Sequence, residues 1–336
     1  MHRVGPVEVA DYHTAGEPFR IVVSGAPSLE GATALDKRSY AEAYADEIRR
    51  LVVNEPRGHA DMYGGFVTAP DDPDGDLGVV FFHKDGYSTA CGHGVIALVT
   101  WAIETGRIAR DGARRRVVVD TPSGRLETTA EVEEGRVTAV SFANVPSYVA
   151  ARHIPMQLAD DVVSVDIAYG GAYYASVDAA QVGLGVRPEN VGRFIDLGRE
   201  IRGILGSNDA VEHPTDHRLS GLYGTVFYEN RDHPGPGLYQ RNVTVFADGE
   251  VDRSPCGTGT SARLALLDSA AQLERGATLI HESIIGTRFT GTVTGDGEVG
   301  GLYGVLTEVR GTAHRTGVAT FELDETDPLG LGFQLR

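Results

Sequence analysis

Residues 91–103 read CGHGVIALVTWAI, and residues 256–267 read CGTGTSARLALL. Each stretch begins with Cys-Gly-x-Gly and continues into a mainly apolar run of helical length, which ends at Gly106 in the first case and at Gly276 in the second. The two cysteines are the only ones in the sequence. Two thiols at two matching helix starts predict a pair of acid and base groups that face one site from opposite sides.

The composition restricts the classes of partner. The chain has 336 residues, 41% of them hydrophobic, and its 30 basic and 47 acidic residues give a formal net charge of −17. The length favours two domains, and so acidic a surface repels nucleic-acid phosphates and anionic lipid. A small anionic substrate stays compatible, because backbone N–H groups at helix N-termini bind anions locally. We therefore expect a small-molecule substrate, with neither nucleic acid nor a membrane as a partner.

The sequence also predicts the cellular location and the state of the thiols. No apolar run approaches the roughly 18–20 residues needed to span a bilayer, and residues 1–8 lack the apolar core of a signal peptide. We therefore expect a cytoplasmic protein whose thiols stay reduced, and two cysteines do not form a disulfide framework. The oligomeric state is left open, with a homodimer as one option.

Short strands separated by turns dominate the chain. Apolar, β-branched residues 77–82 and 117–119 predict buried strands, and residues 112–145 predict a hairpin. Helices are predicted at residues 41–53 and 188–205.

The repeat of the cysteine motif extends to whole lobes. Each cysteine-led helix is followed by a predicted strand and a glycine-containing turn at a similar distance, which duplication into two similar α/β lobes explains. Each lobe would be a curved, mostly antiparallel sheet around one central helix, whose N-terminus is directed at the cleft between the lobes. We place the N-terminal lobe at residues 1–135, completed by residues from about 318 to 336, and the C-terminal lobe at residues 136–317.

A thiol at a helix N-terminus is suited to proton transfer. A free cysteine has a pKa of about 8.5, and the helix dipole lowers it by stabilising the thiolate. A small carboxylate between two such helix starts would accept N–H bonds from both, which stabilises charge that spreads onto it when the α-proton leaves. One thiolate would remove that proton, and the opposite thiol would deliver another.

Each feature also has a simpler explanation. A lone cysteine is usually a small buried hydrophobe, but two cysteines in the same setting favour a shared function. Cys91 and His93 could suggest a metal pair, but the sequence has no second His/Cys cluster with zinc-site spacing, so we expect no metal. Residues 257–262 match the Gly-x-Gly-x-x-Ala form of a dinucleotide fingerprint, yet the nearest candidate for its ribose-binding acid, Glu274, is expected at the end of the same helix and not on a following strand. A dinucleotide-binding oxidoreductase is therefore a distant alternative.

Four blocks of the sequence resemble the proline racemase family, which also includes hydroxyproline 2-epimerases and trans-3-hydroxyproline dehydratases. The blocks read HTAGEP, NEPRGHADMYG, CGHG and DRSPCGTGT, at residues 13–18, 54–64, 91–94 and 252–260. The resemblance covers nearly the whole chain. The last block is highly specific, whereas Ala90 stands where methionine is common.

The resemblance implies a fold and a site. The fold would be α+β and diaminopimelate epimerase-like, with two pseudo-symmetric lobes and the site between them, in an enzyme that needs neither pyridoxal phosphate nor metal. Cys91 and Cys256 match the family's catalytic thiols. The substrate carboxylate would be held by backbone groups at Gly92, His93, Gly257 and Thr258. Asp252, together with His93, would hold the ring amine.

Three side chains bear on the reaction subtype. Family members that act as dehydratases typically have threonine at the position of Cys256, because elimination needs only one thiol base, so this second thiol favours inversion. Tyr63 stands where proline racemases have phenylalanine, and its phenol could hydrogen-bond a ring hydroxyl. Phe246 is interpreted as a hydrophobic lid, although both aromatic residues could be plain wall residues. The sequence thus predicts a cofactor-independent racemase or epimerase that inverts the α-carbon of proline or hydroxyproline with two thiols. The alternative is a trans-3-hydroxy-L-proline dehydratase.

Overall fold

The structure, a computed structural model, describes residues 5–109, 112–159, 162–206, 208–233, 235 and 237–335. The chain divides into two compact units, of which the first combines Met1–Val140 with Thr312–Arg336 and the second is Ser141–Gly311. Among the described residues, every helix is too short or too polar to cross a lipid bilayer.

The elements are named in chain order. The α-helices are α1 (Ala34–Tyr44), α2 (Asp46–Val53), α3 (Gly92–Glu104), α4 (Val191–Leu205) and α5 (Gly257–Ser269). Single 3₁₀ turns lie at Ala179–Val182, Pro188–Asn190, Asp209–Val211 and His217–Leu219. The strands are β1 (Val7–Thr14), β2 (Glu17–Ser24), β3 (Tyr63–Thr68), β4 (Leu77–His83), β5 (Gly86–Tyr87), β6 (Arg114–Thr121), β7 (Gly124–Glu133), β8 (Arg136–Ala143), β9 (Tyr148–Gln157), β10 (Val162–Tyr169), β11 (Tyr173–Asp178), β12 (Leu222–Arg231), β13 (Leu238–Phe246), β14 (Glu250–Asp252), β15 (Thr278–Ser283), β16 (Arg288–Val299), β17 (Leu302–Gly311) and β18 (Ala313–Phe321).

The first unit is a curved sheet around α3. Its strands pair in the order β18-β1-β2-β3-β4-β6-β7, in which β2–β3 and β4–β6 are parallel and the other pairs are antiparallel. Helix α3 contacts β1, β2, β7 and β18, so strands from both ends of this order pack on it. Every residue of α3 except Glu104 is buried, as expected for a helix that is apolar on all sides.

The second unit is built in the same way around α5. Its strands pair in the order β9-β10-β11-β12-β13-β15-β16-β17, with parallel pairs β11–β12 and β13–β15 and antiparallel pairs elsewhere. Helix α5 contacts β9, β10, β11, β16 and β17, and its residues are buried except for Asp268 and Ser269.

The two units repeat one topology. In each, an antiparallel pair leads through helical segments into a second pair, and a short strand then precedes the central helix: β5 pairs with β4 before α3, and β14 pairs with β13 before α5. Both Cys-Gly-x-Gly segments therefore occupy the same place in the repeat. This arrangement agrees with the predicted α+β fold of two similar lobes, each with a mostly antiparallel sheet around one helix.

Two predicted elements differ from the structure. The single helix expected at residues 41–53 is two helices, α1 and α2, and α1 begins at Ala34 because Thr33 and Asp36 form a capping box. The hairpin expected at residues 112–145 is a run of three strands, since a second turn separates β6 from β7.

Candidate active site

Cys91 is the N-cap residue of α3. Its sulfur accepts a hydrogen bond from the Gly94 amide at 3.2 Å, the position at which N-cap side chains satisfy the first turn of a helix. A Cβ atom on Gly94 would lie 2.7 Å from this sulfur and 2.5 Å from Cε2 of Phe19. The second glycine of the motif therefore makes room for the thiol, which is 5% exposed.

His93 lies beside Cys91 as a neutral imidazole. Its two ring nitrogens are each 3.5 Å from the sulfur of Cys91. Its ring packs edge-on against Phe19 and Tyr63, with centroid separations of 5.8 and 5.0 Å. Burial lowers the pKa of His93 to about 3, although a hydrogen bond to the backbone of Pro18 favours the charged form. His93 can therefore exchange hydrogen bonds with a ligand without carrying a charge at neutral pH.

Tyr63 lies on β3 in the same region, and its hydroxyl is hydrogen-bonded to that of Ser88. Both side chains are buried. Ser88 is not among the predicted site residues, although it stands three positions before Cys91, because its contact with Tyr63 on β3 depends on the fold. The phenol that the sequence predicts to reach a ring hydroxyl is thus oriented by a second buried hydroxyl.

Cys256 is the N-cap residue of α5, but its backbone differs from that of Cys91. Its φ of 65° and ψ of 105° place it in a region that L-residues rarely adopt, whereas Cys91 has an extended φ of −156°. The sulfur of Cys256 accepts a hydrogen bond from the Gly259 amide at 3.4 Å. Backbone strain at a side chain with acid–base chemistry points to a functional constraint.

Asp252, at the end of β14, is buried next to Cys256. Its carboxylate accepts hydrogen bonds from the Ser254 amide, at 2.8 Å, and from the Cys256 thiol. The Ser254 hydroxyl in turn accepts a hydrogen bond from the Cys256 amide at 3.1 Å. Burial raises the pKa of both acids, and the charge of Asp252 raises the pKa of Cys256 further. The pair therefore favours a protonated Cys256, and a cation near Asp252 would favour the ionised carboxylate.

A group of aromatic and hydroxyl side chains surrounds Cys256. The hydroxyl of Tyr174 lies 3.6 Å from the sulfur of Cys256 and 2.7 Å from the hydroxyl oxygen of Thr258. Tyr223 packs edge-on against Tyr174 at 5.7 Å, and Phe246 stacks on Tyr223 at 5.5 Å. Phe246 is thus connected to the thiol through two aromatic rings. Sequence reasoning missed both tyrosines, which come from strands distant from the motif.

The predicted residues fall into two groups. Tyr63, Gly92 and His93 lie around Cys91, while Asp252, Phe246, Gly257 and Thr258 lie around Cys256, and all of these residues are buried. The first-turn N–H groups of a helix have no intrahelical partner, so both helix starts offer donors to a carboxylate. Within the described residues, neither cysteine belongs to a group of three His, Cys, Asp or Glu side chains that could hold a metal ion.

Comparisons with known proteins identify the family. Residues 9–334 match the proline racemase family. The chain is 45% identical over 332 residues to the 3-hydroxyproline 2-epimerase of Burkholderia multivorans, and the match covers 98% of each chain. It is 44% identical over 331 residues to the trans-3-hydroxy-L-proline dehydratase of Burkholderia cenocepacia, again with 98% of each chain covered.

A solved structure agrees with these relatives. The crystal structure of a hydroxyproline epimerase from Agrobacterium vitis with bound trans-4-hydroxy-L-proline superposes with a TM-score of 0.92 at 29% identity, covering 100% of this chain and 97% of that one. The likeness confirms the predicted fold. This chain therefore belongs to the proline racemase family, a family of isomerases.

Proposed function

We propose that this protein is a cofactor-independent epimerase that inverts the α-carbon of proline or a hydroxyproline, with Cys91 and Cys256 as its two proton carriers. The proposal rests mainly on the setting of Cys256: its thiol stands at a strained backbone position and is hydrogen-bonded to the buried carboxylate of Asp252. The two relatives named for 3-hydroxyproline make that compound the first substrate to test.

The protonation states assign an order to the two thiols. Since burial and the charge of Asp252 both raise the pKa of Cys256, we take Cys256 to begin as the thiol, and the role of proton acceptor then falls to Cys91. Cys91 takes the α-proton, the electron pair spreads onto the substrate carboxylate, and Cys256 delivers its proton to the opposite face of the α-carbon. Each turnover therefore exchanges the protonation states of the thiols, and the reverse reaction starts from the exchanged form.

The substrate's two charged groups have separate partners in this proposal. The carboxylate accepts N–H bonds from the first turns of α3 and α5, at Gly92, His93, Gly257 and Thr258, where the helix dipoles favour negative charge. The ring ammonium pairs with Asp252 and contacts neutral His93. A cation beside Asp252 also offsets the charge that raises the pKa of Cys256, so substrate binding prepares this thiol to release its proton.

Dehydration of trans-3-hydroxy-L-proline is the second candidate, favoured by the dehydratase named among the relatives. A thiolate would again remove the α-proton, and the electron pair would form a double bond to the neighbouring carbon. In the trans isomer the 3-hydroxyl lies on the same ring face as the α-hydrogen, so it would take the proton back from the same thiol and leave as water, and the enamine would tautomerise to a cyclic imine. The same residues serve both reactions, so products must be measured.

The test is incubation with L-proline, trans-4-hydroxy-L-proline and trans-3-hydroxy-L-proline in deuterated water. We expect α-deuterium in a product of inverted configuration from at least one of them, and its absence from all three overturns the proposal. A product that condenses with an imine-reactive dye identifies dehydration. Cys256→Ser should abolish inversion but still bind pyrrole-2-carboxylate, a planar ring carboxylate, and full activity in this variant would refute the two-thiol assignment.

A further inference from the structure

Tyr174 lies at the sulfur of Cys256 and is fixed there. It comes from β11, is 1% exposed, and its hydroxyl is 3.6 Å from the cysteine sulfur. The same hydroxyl is 2.7 Å from the Thr258 hydroxyl, one residue into α5. Its ring packs edge-on against Tyr223, and the hydrogen bond to Thr258 places the hydroxyl beside the thiol.

A thiolate at Cys256 needs a neutral hydrogen-bond donor, because an anion already lies beside it. Loss of the Cys256 proton leaves a thiolate beside the Asp252 carboxylate, and two buried anions in contact repel each other strongly. Burial raises the pKa of Asp252 to about 6, against the opposing hydrogen bonds from Ser254 and the charge of Arg253, so this carboxylate is still ionised at neutral pH. The groups that favour the thiolate are hydrogen-bond donors: the Gly259 amide and the hydroxyls of Tyr174 and Thr258.

We propose that Tyr174 is a positioning residue that stabilises the thiolate of Cys256 through its hydroxyl, while Thr258 orients that hydroxyl between turnovers. The inference rests on the proposed role of Cys256 as a proton carrier. Nothing is transferred from Tyr174 itself. While Cys256 is protonated, its S–H donates to Asp252 or to the Tyr174 oxygen, and the Tyr174 O–H donates to Thr258. When the sulfur loses its proton, the Tyr174 O–H turns from Thr258 to the thiolate.

The test measures how readily the Cys256 thiol ionises. Alkylation by iodoacetamide, a neutral reagent, is followed against pH in wild type and Tyr174→Phe, and modified Cys256 and Cys91 are quantified separately by peptide mass spectrometry. Loss of a hydrogen bond to a charged group shifts the pKa of that group by about one unit or more. We therefore expect the pH midpoint of Cys256 alkylation to rise by about one pH unit in Tyr174→Phe, while the pH midpoint of Cys91 alkylation stays unchanged. In the pH profile of kcat/KM, the inflection that reports ionisation of Cys256 should also move to higher pH.

Tyr173→Phe is the matched control. Its hydroxyl is also buried, but it bonds to Tyr148 and the Glu212 carbonyl, away from the thiol. We expect this variant to leave the Cys256 midpoint unchanged. An unchanged midpoint in Tyr174→Phe, or an equal rise in the control, overturns the proposal.

Two further readouts keep the outcome unambiguous. If Tyr174→Phe does not fold, Thr258→Val replaces it and should also raise the pH midpoint of Cys256 alkylation, because it removes both the group that orients the phenol and a weaker donor to the sulfur. No rise there counts against the proposal. Because alkylation does not require turnover, failure of wild type to exchange α-protons would remove the proposed function while the role of Tyr174 is still measured.

Discussion

The amide of Gly94 donates to the sulfur of Cys91 at 3.2 Å, and a Cβ atom on Gly94 would lie 2.7 Å from that sulfur. Gly94→Ala must therefore displace the thiol, and a misplacement of about 1 Å costs roughly 100-fold in rate. A loss of that size in kcat is the expected result. Gly259→Ala is the matched variant, since its Cβ would meet the sulfur of Cys256 at 3.0 Å, and its loss should be smaller. Melting temperatures separate misplacement from unfolding, and an undiminished kcat in Gly94→Ala would contradict the argument.

Asp252→Asn should make Cys256 more acidic. The carboxylate raises the pKa of the thiol by its charge, and the neutral amide does not, so the midpoint of Cys256 alkylation should move to lower pH. Epimerisation should nevertheless fall by about 100-fold or more, because the ring ammonium loses the ionic partner that we propose for it. Asp248→Asn changes an exposed carboxyl in the neighbouring turn and should alter neither quantity. A Cys256 midpoint that stays in place or rises in Asp252→Asn would show that the carboxylate does not act on the thiol.

Tyr63→Phe tests recognition of the ring hydroxyl. If the phenol binds that group, kcat/KM for the preferred hydroxyproline should fall about 10- to 100-fold, as for loss of one buried hydrogen bond, while kcat/KM for proline should hardly change. Ser88→Ala removes the partner that orients the phenol and should give a smaller loss with the same substrate preference. Equal losses for both substrates would assign Tyr63 a packing role alone.

Acid should destabilise the protein through two buried histidines. Burial lowers the pKa of His93 and of His281 to about 3, whereas an imidazole in the unfolded chain titrates near 6.5. The unfolded state therefore binds more protons below that pH, and stability falls as the pH drops from about 6.5 toward 3, by about 1.4 kcal/mol per pH unit for each histidine. Denaturant titrations should show this contribution, and His281→Asn should lower the slope by about 1.4 kcal/mol per pH unit. A slope unchanged in that variant would exclude His281 as a source.

The parts of the site that the sequence revealed are those encoded by contiguous residues. Asp252 and Cys256 stand four positions apart in one block, and a turn between a short strand and a helix necessarily brings them together. The position of Tyr174 depends on strand register and helix packing, which no local pattern specifies. Ser88 stands three positions before Cys91, but only its contact with Tyr63 on β3 marks it as part of the site. The start of α1 at Ala34 was readable in the sequence, because Thr33 and Asp36 have capping-box spacing.

With the role that we propose for Cys256, the backbone at this position places the stability of the fold in conflict with catalysis. A φ of 65° costs an L-residue about 1–2 kcal/mol and costs glycine almost nothing, so selection for thermal tolerance alone would favour glycine there. Cys91, with its extended backbone, is under no such pressure. The two repeats therefore differ in how readily they lose the cysteine. A library of variants screened only for heat resistance would tend to replace Cys256 by glycine, and so lose activity, before it replaced Cys91.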